Sequence, residues 1–292
     1  MLRGARLPDF IGVGAQKAGT SWIHACLYEH PSIYMPSSKE IHFFSNYYIK
    51  GKEWYISHFS DCLPHQLAGE YSPTYLYHAD APMRIYDHNP HVKLIICLRN
   101  PVERVVSAYR YAIQTRAISP SLSLDKLMNQ RPSYVEHSLY YQQICRYLQY
   151  FSREQLCITL YEDIALDPYT FMRNIYQFLD IDWHFRPAMA EQRVNASRGA
   201  PRWKALDTFM QTSAACLRAV GLGHIVWRMG RSGAVELLRR LNARAPVQQP
   251  VSEACVRALR QRFAPDVRGL AALIQRDLRD LWFEYDGVTV GS

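Results

Sequence analysis

Gly12-Val13-Gly14-Ala15-Gln16-Lys17-Ala18-Gly19-Thr20-Ser21 follows directly from the apolar start Phe10-Ile11 and opens a segment that reads as a helix from about Gly19 to Tyr28. A strand that passes through a glycine-bearing turn into a helix is the layout of a phosphate-binding loop. Backbone N–H groups and the helix N-terminus point at an anion, and the glycines let the backbone approach it closely. The nucleotide triphosphatase version of this loop ends in Gly-Lys-Ser/Thr. Here the pattern from Gly14 is G-x-x-x-x-G-Thr-Ser, so Thr20 stands at the lysine position and the lysine lies three residues upstream, at Lys17. Such a loop can hold a diphosphate-like group without the usual Mg²⁺ and γ-phosphate geometry.

A second stretch, Val92-Lys93-Leu94-Ile95-Ile96-Cys97-Leu98-Arg99-Asn100-Pro101-Val102-Glu103-Arg104-Val105-Val106-Ser107-Ala108-Tyr109, has buried-strand character up to Arg99. Asn100 is a good N-cap and Pro101 fits the first helical position. Arg99 therefore sits at the carboxyl end of a central strand, where open α/β sheets bind ligands. Ser107 falls two turns into the following helix. An arginine and a hydroxyl converging in this way suit a second phosphate. Arg104 reads as a helix-surface residue.

Outward from these two stretches, strands and helices alternate. A short strand is expected at Leu67–Glu70, a helix around Ala79–Asp87, a helix from Ser138 to Tyr150, a strand at Gln155–Leu160, and a helix from Asp167-Pro168 to Leu179. The expected fold is α/β, a P-loop-like parallel sheet flanked by helices, with a helical C-terminal region. One domain over 1–292 is expected, with 1–202 as the nucleotide-binding core and 203–292 as helices packed on it. A hydrophobic fraction of 48% supplies a sizeable core and excludes a disordered chain. No apolar run approaches the ~20 residues of a membrane span. Met-Leu-Arg-Gly-Ala-Arg-Leu-Pro is too short before the first strand to read as a signal peptide. The seven cysteines are scattered and odd in number. They point to free thiols in a reducing compartment, and so to a cytoplasmic protein. The eleven histidines show no ligand spacing, so no metal site is expected; His88 and His91, around a turn, read as surface residues.

Taken together, the two stretches resemble the sulfotransferases that use 3′-phosphoadenosine 5′-phosphosulfate (PAPS). Q-K-A-G-T-S-W is similar to the family's 5′-phosphosulfate loop, and L-R-N-P-V-E-R-V-V-S-A-Y to its 3′-phosphate motif. Lys39-Glu40-Ile41-His42-Phe43-Phe44 and Gly69-Glu70-Tyr71-Ser72-Pro73-Thr74-Tyr75-Leu76 resemble the branch that sulfates carbohydrates. Phe263-Ala264-Pro265-Asp266-Val267 through Asp280-Leu281-Trp282 is similar to the closing helix of bacterial members.

The resemblance implies PAPS as donor substrate, no metal, and a small-molecule or glycan acceptor. Lys17 would contact the phosphosulfate bridge and offset charge on the leaving phosphate. Ala18, Gly19, Thr20 and Ser21 would donate hydrogen bonds, and Arg99 and Ser107 would hold the 3′-phosphate. Glu40 is the implied base; a structural pairing with Lys39 or Lys17 is the alternative, and His42 is the competing base. A loop at Arg198, Gly199 and Ala200, with Arg202 nearby, would close over the nucleotide. Tyr71 departs from the branch, which often has a lysine there. With Tyr75, Tyr77, Trp54 and Tyr55 it offers either aromatic faces for an acceptor or core packing.

The net charge of +8 is concentrated in 186–244, which holds eleven Arg/Lys against Glu191, Asp207 and Glu236. A polyanionic acceptor suits this segment. A solvated helical surface is the plainer alternative, and peripheral contact of 203–244 with an anionic membrane is a further one. No nucleic-acid motif accompanies the charge. A P-loop nucleotide kinase-like phosphotransferase lacks support in Thr20 and in the central strand's Leu98-Arg99 ending, where an aspartate would be expected. A catalytically silent scaffold has no need to keep Lys17, Arg99, Ser107 and Glu40 together.

Overall fold

The computed structural model describes residues 6–36, 38–191, 212–213 and 249–284. The chain divides into two units, one of Met1–Ala108, Ser123–Val194 and Val251–Ser292, the other of Tyr109–Leu122 and Asn195–Pro250. Within the second, the Tyr109 hydroxyl donates to the Leu122 carbonyl at 2.7 Å.

The first unit is built on a parallel five-stranded sheet in the order β2-β3-β1-β4-β5. The strands are β1 (Phe10–Gly14), β2 (Ile33–Tyr34), β3 (Leu67–Tyr71), β4 (Lys93–Leu98) and β5 (Leu156–Leu160). Described helices are α1 (Thr20–Glu29), α2 (Gly51–Ser57), α3 (Ala81–His88), α4 (Pro101–Gln114), α5 (Leu124–Gln130), α6 (Ser133–Glu136), α7 (Tyr140–Leu148), α8 (Tyr161–Leu166), α9 (Pro168–Leu179) and α10 (Glu253–Ile274). None is long and apolar enough to cross a membrane.

β1 pairs with β3 on one side (Phe10 beside Gly69) and with β4 on the other (Phe10 beside Lys93). The chain runs from β1 outward to β2 and β3, then crosses to β4. The strand order therefore reverses between β1 and β4, the place where open α/β sheets bind ligands. Apart from Lys93 at the start of β4, both strands are apolar, as suits central parallel strands covered on both faces. Leu94, Ile95, Ile96, Cys97 and Leu98 are fully buried. Gly12 makes room for Tyr71: a Cβ there would meet the Tyr71 ring at 2.2 Å. The ring lies across β1 and its hydroxyl donates to the Gly14 carbonyl at 3.1 Å.

The expected elements up to Leu179 are present with shifts of one or two residues at their ends, and β2, α2, α5, α6 and α8 add to them. The stretch from Phe263 to Trp282, similar to a closing helix, is helical only as far as Ile274, in a helix, α10, that begins earlier, at Glu253. α9 begins as its sequence implies: the Asp167 carboxylate accepts from the N–H groups of Tyr169 and Thr170 at 3.0 and 3.1 Å, with Pro168 at the first helical position. α10 continues through Pro265 and packs along α7. Its Asp266 accepts from the N–H groups of Tyr141 and Gln142 at 3.0 and 3.3 Å, capping α7 from a neighbouring helix.

Two expectations are corrected, for Arg104 and His88, and the alternative left open for the tyrosines is decided. Arg104 is buried at 1% exposure because its side of α4 is the packed side, shared with Val105. Tyr55, Tyr71 and Tyr75 are fully buried and belong to the core. His91 is exposed, but His88 is half-buried with its ring against Phe43 and Phe44 at 5.6 and 5.4 Å.

Candidate active site

The loop after β1 turns sharply through two left-handed residues, Lys17 (φ 72°) and Gly19 (φ 78°). A Cβ on Gly19 would lie 2.8 Å from the Tyr161 ring, so the position requires glycine on both counts. Gly19 is the N-cap of α1, and no side chain caps the helix there. The first N–H groups of a helix have no partner within it, and here no side chain competes for them. Ala18 and Thr20 are buried, which fixes the loop against the sheet. Ser21 is half-buried, and its hydroxyl accepts from Lys39 Nζ at 3.0 Å.

Four cations surround the loop. Arg99 follows β4 and donates through Nη1 to the Lys17 carbonyl at 3.4 Å. Its Nε and Nη2 donate to Glu103 Oε2 at 3.2 and 2.8 Å, and its guanidinium lies over the Tyr161 ring. Asn100 behaves as its sequence implies: its Oδ1 accepts from Val102 N at 3.0 Å, while Nδ2 donates to the Trp282 carbonyl at 3.0 Å. The C-terminal segment thus braces the start of α4. Ser107 is half-buried two turns into α4. Arg104 donates to Ser138 Oγ and to the Tyr134 carbonyl. Burial, and then the charges of Arg99, Lys39 and Arg104, bring the Lys17 ammonium down to about 8, against the opposing pull of Glu40. A lysine destabilised by three cations fits an anion: a dianion beside it relieves the repulsion that the free protein bears.

The second half of the site is the Lys39–His42 segment. Glu40 Oε1 pairs with Lys39 Nζ at 2.8 Å and Oε2 with His42 Nε2 at 3.2 Å. His42 is left-handed (φ 54°), and its Nδ1 lies 2.9 Å from Thr74 Oγ1. Burial raises the Glu40 carboxyl, but the hydrogen bond from His42 and the charge and hydrogen bond of Lys39 outweigh it and hold the group at about 2. Lys39 links the two halves, touching both Ser21 and Glu40.

The structure therefore brings Lys17, Ala18, Gly19, Thr20, Ser21 and Arg99 together at the switch point, with Glu40 joined to Ser21 through Lys39. Arg198, Gly199, Ala200 and Arg202 lie outside the described residues, as does 203–244 except 212–213. Sequence reasoning missed Lys39 as the bridge and Arg104 as a buried cation. It named Tyr77 but not its partner: the half-buried ring stacks on His137 with centroids 3.6 Å apart. The Lys39-Glu40 adjacency was the available signal for the first; the other two depend on contacts distant in sequence. Among the described residues, no cluster of His, Cys, Asp or Glu fits a metal ion.

Fold and site together define a parallel α/β protein with a phosphate loop at the switch point and a carboxylate beside it. A family model for the sulfotransferase domain matches residues 7–199, and the chain belongs to the sulfotransferase family. It is 31% identical over 211 residues to heparan sulfate glucosamine 3-O-sulfotransferase 5 of Mus musculus, covering 66% of this chain and 59% of that protein. It is 39% identical over 137 residues to the membrane-associated sulfotransferase kil1 of Dictyostelium discoideum, covering 44% of this chain and 29% of that one. The chain thus spans less than two thirds of the length of either relative. Among solved structures, a sulfotransferase from Alicyclobacillus acidocaldarius superposes with a TM-score of 0.69 at 26% identity, over 94% of this chain and 98% of that one.

Proposed function

We propose that the chain transfers a sulfuryl group from PAPS to a hydroxyl or amine of a carbohydrate or glycan-like acceptor, with Glu40 as the base. The observation that carries this reading is the cation cluster at the loop, where burial and then the neighbouring charges depress Lys17, set beside a carboxylate held by Lys39 and His42. The similarity to a heparan sulfate glucosamine 3-O-sulfotransferase supports a carbohydrate acceptor.

The donor supplies an activated sulfuryl group on its 5′-phosphate. On this reading the N–H groups at the start of α1 and the Lys17 ammonium bind that end of the donor, and Arg99 and Ser107 hold its 3′-phosphate. The acceptor oxygen or nitrogen forms the new bond to sulfur as the bond from sulfur to the bridging oxygen breaks. The acceptor proton passes to Glu40. The electron pair of the broken bond stays on the leaving phosphate, where Lys17 offsets the charge. A carboxyl held at about 2 is a weak base in the free protein. A dianion beside Lys17 raises it, because nearby like charge disfavours the carboxylate. Residues 1–292 would act as one catalytic domain.

The test is incubation with sulfur-labelled PAPS and a panel of glycans, lipids and phenols, in EDTA. Label moving to a glycan supports the reading. Label moving only to phenols or lipids overturns the acceptor class, and activity that requires Mg²⁺ overturns the mechanism.

A further inference from the structure

Glu70, on β3, is buried at 0% exposure and touches none of the groups assigned to donor or acceptor. Its Oε1 accepts from the Tyr55 hydroxyl at 2.6 Å and the Tyr75 hydroxyl at 3.1 Å, and its Oε2 accepts from Ser72 Oγ at 2.8 Å. No cation pairs with it among the described residues. Each of its three donors holds a different part of one short segment. Ser72 Oγ accepts from the backbone N–H of His42 at 3.1 Å. The Tyr55 ring lies flat on Phe43, with centroids 4.5 Å apart and planes 9° apart. The Tyr75 ring meets Phe44 edge-on at 5.5 Å. Residues 42, 43 and 44 are thus gripped in succession by groups that a single carboxylate gathers.

That grip falls where the backbone needs it. His42 lies in the left-handed region, sparsely populated for a residue with a side chain, so its conformation must be imposed by its surroundings. The same conformation aims its Nε2 at Glu40. A fully buried carboxylate without a cation is costly to keep, and well-packed apolar residues serve stability as well or better. Burial raises its carboxyl against the pull of the three hydrogen bonds, and its value lies instead in the single arrangement those hydrogen bonds specify.

We infer that Glu70 is a positioning residue, which sets the His42 backbone through Ser72, Tyr55 and Tyr75 and thereby fixes the contact between His42 and Glu40. The inference rests on the proposed role of Glu40, but its test needs no acceptor. Besides burial, the groups that act on the Glu40 carboxyl are Lys39, His42 and, by charge, Lys17, His24 and Tyr77. Only the His42 contact depends on Glu70.

The experiment follows the side-chain carboxyl carbons of ¹³C-glutamate-labelled protein by NMR between pH 3 and 7, with Glu40→Gln giving the assignment. In the native protein the Glu40 signal should show no inflection above pH 3. In Glu70→Gln and in Ser72→Ala, Glu40 loses the His42 hydrogen bond, and an inflection should appear nearer the ordinary carboxylate value of ~4.3. Affinity for adenosine 3′,5′-bisphosphate should stay within about twofold in both variants, because the loop after β1 is untouched. If Glu70→Gln does not fold, Ser72→Ala removes only the link and decides the matter. A Glu40 signal that stays flat above pH 3 in folded Ser72→Ala overturns the inference, since a purely structural Glu70 leaves that titration unmoved. Failure of the base assignment is separate: it appears as full sulfuryl transfer by Glu40→Gln, whatever the NMR titration gives.

Discussion

On the proposed reading, Lys17 turns the electrostatics of the loop into a pH dependence of nucleotide binding. Burial and three neighbouring cations place its ammonium at about 8 in the free protein. A polyanionic nucleotide binds the charged form and pulls the proton affinity back up, so binding takes up a proton when the pH is near or above 8. With a free-protein value of about 8, the charged fraction falls from ~0.9 at pH 7 to ~0.1 at pH 9, and the apparent Kd for adenosine 3′,5′-bisphosphate should rise about tenfold over that interval. The sign is fixed by the direction of the shift: affinity is fully present below pH 8 and is lost as pH rises through it. Two other groups do not interfere. The second ionisation of the phosphates, near ~6, is complete before the window opens, and His137, brought down to about 4 by burial and Arg104, is neutral throughout. Titration calorimetry from pH 7 to 9, in two buffers of different ionisation enthalpy, reads both the affinity and the proton uptake. Lys17→Arg carries a guanidinium that stays charged across the window, so its affinity should be flat. A flat profile in the native protein, or the same slope in Lys17→Arg, refutes the assignment of Lys17 to the anion cradle.

Glu40→Gln keeps the size of the side chain but removes the proton acceptor, so kcat for transfer of labelled sulfur should fall ~10²–10⁴-fold with nucleotide affinity nearly unchanged. His42→Ala should cost much less, and the reverse order makes His42 the base. Asp266→Ala removes the acceptor that caps α7 from α10 and should lower unfolding stability by ~0.5–2 kcal/mol, read from urea midpoints. Burial raises the Asp266 carboxyl to about 6 despite its backbone hydrogen bonds. The folded protein therefore binds more protons than the unfolded chain between ~4 and about 6, so native stability should fall with rising pH across that window relative to Asp266→Asn.

The parts of the fold legible in the sequence are those written in local chemistry. Gly14, Lys17 and Gly19 mark the turn after β1, and Asn100-Pro101 marks the start of α4 by N-cap and first-turn preference. β4 shows itself as an apolar run. β2, only two residues long, is too short to leave a pattern. α8 was hidden because β5 runs into it with no glycine or proline between Leu160 and Tyr161. Arg104 was misplaced because its charge was weighed above its helical phase beside Val105. The buried tyrosines were open in the sequence because their hydroxyls are satisfied by Glu70 and the Gly14 carbonyl, partners that only the folded chain brings near. For the same reason Glu40 could be named from its motif, while its contact with His42, the left-handed turn that makes the contact, and the Glu70 cluster behind it could not.

The central claim is that the loop after β1 and the Arg99–Ser107 pair form two separate phosphate sites on one nucleotide. Calorimetry in EDTA, comparing adenosine 3′,5′-bisphosphate with AMP on the native protein and on Arg99→Ala, tests it most directly. A charge-assisted hydrogen bond contributes ~1.5–3 kcal/mol, so the bisphosphate should bind at least about tenfold more tightly than AMP. Arg99→Ala should lose most of that preference while keeping its affinity for AMP. Equal affinity for the two nucleotides in the native protein, with or without Mg²⁺, would contradict the account.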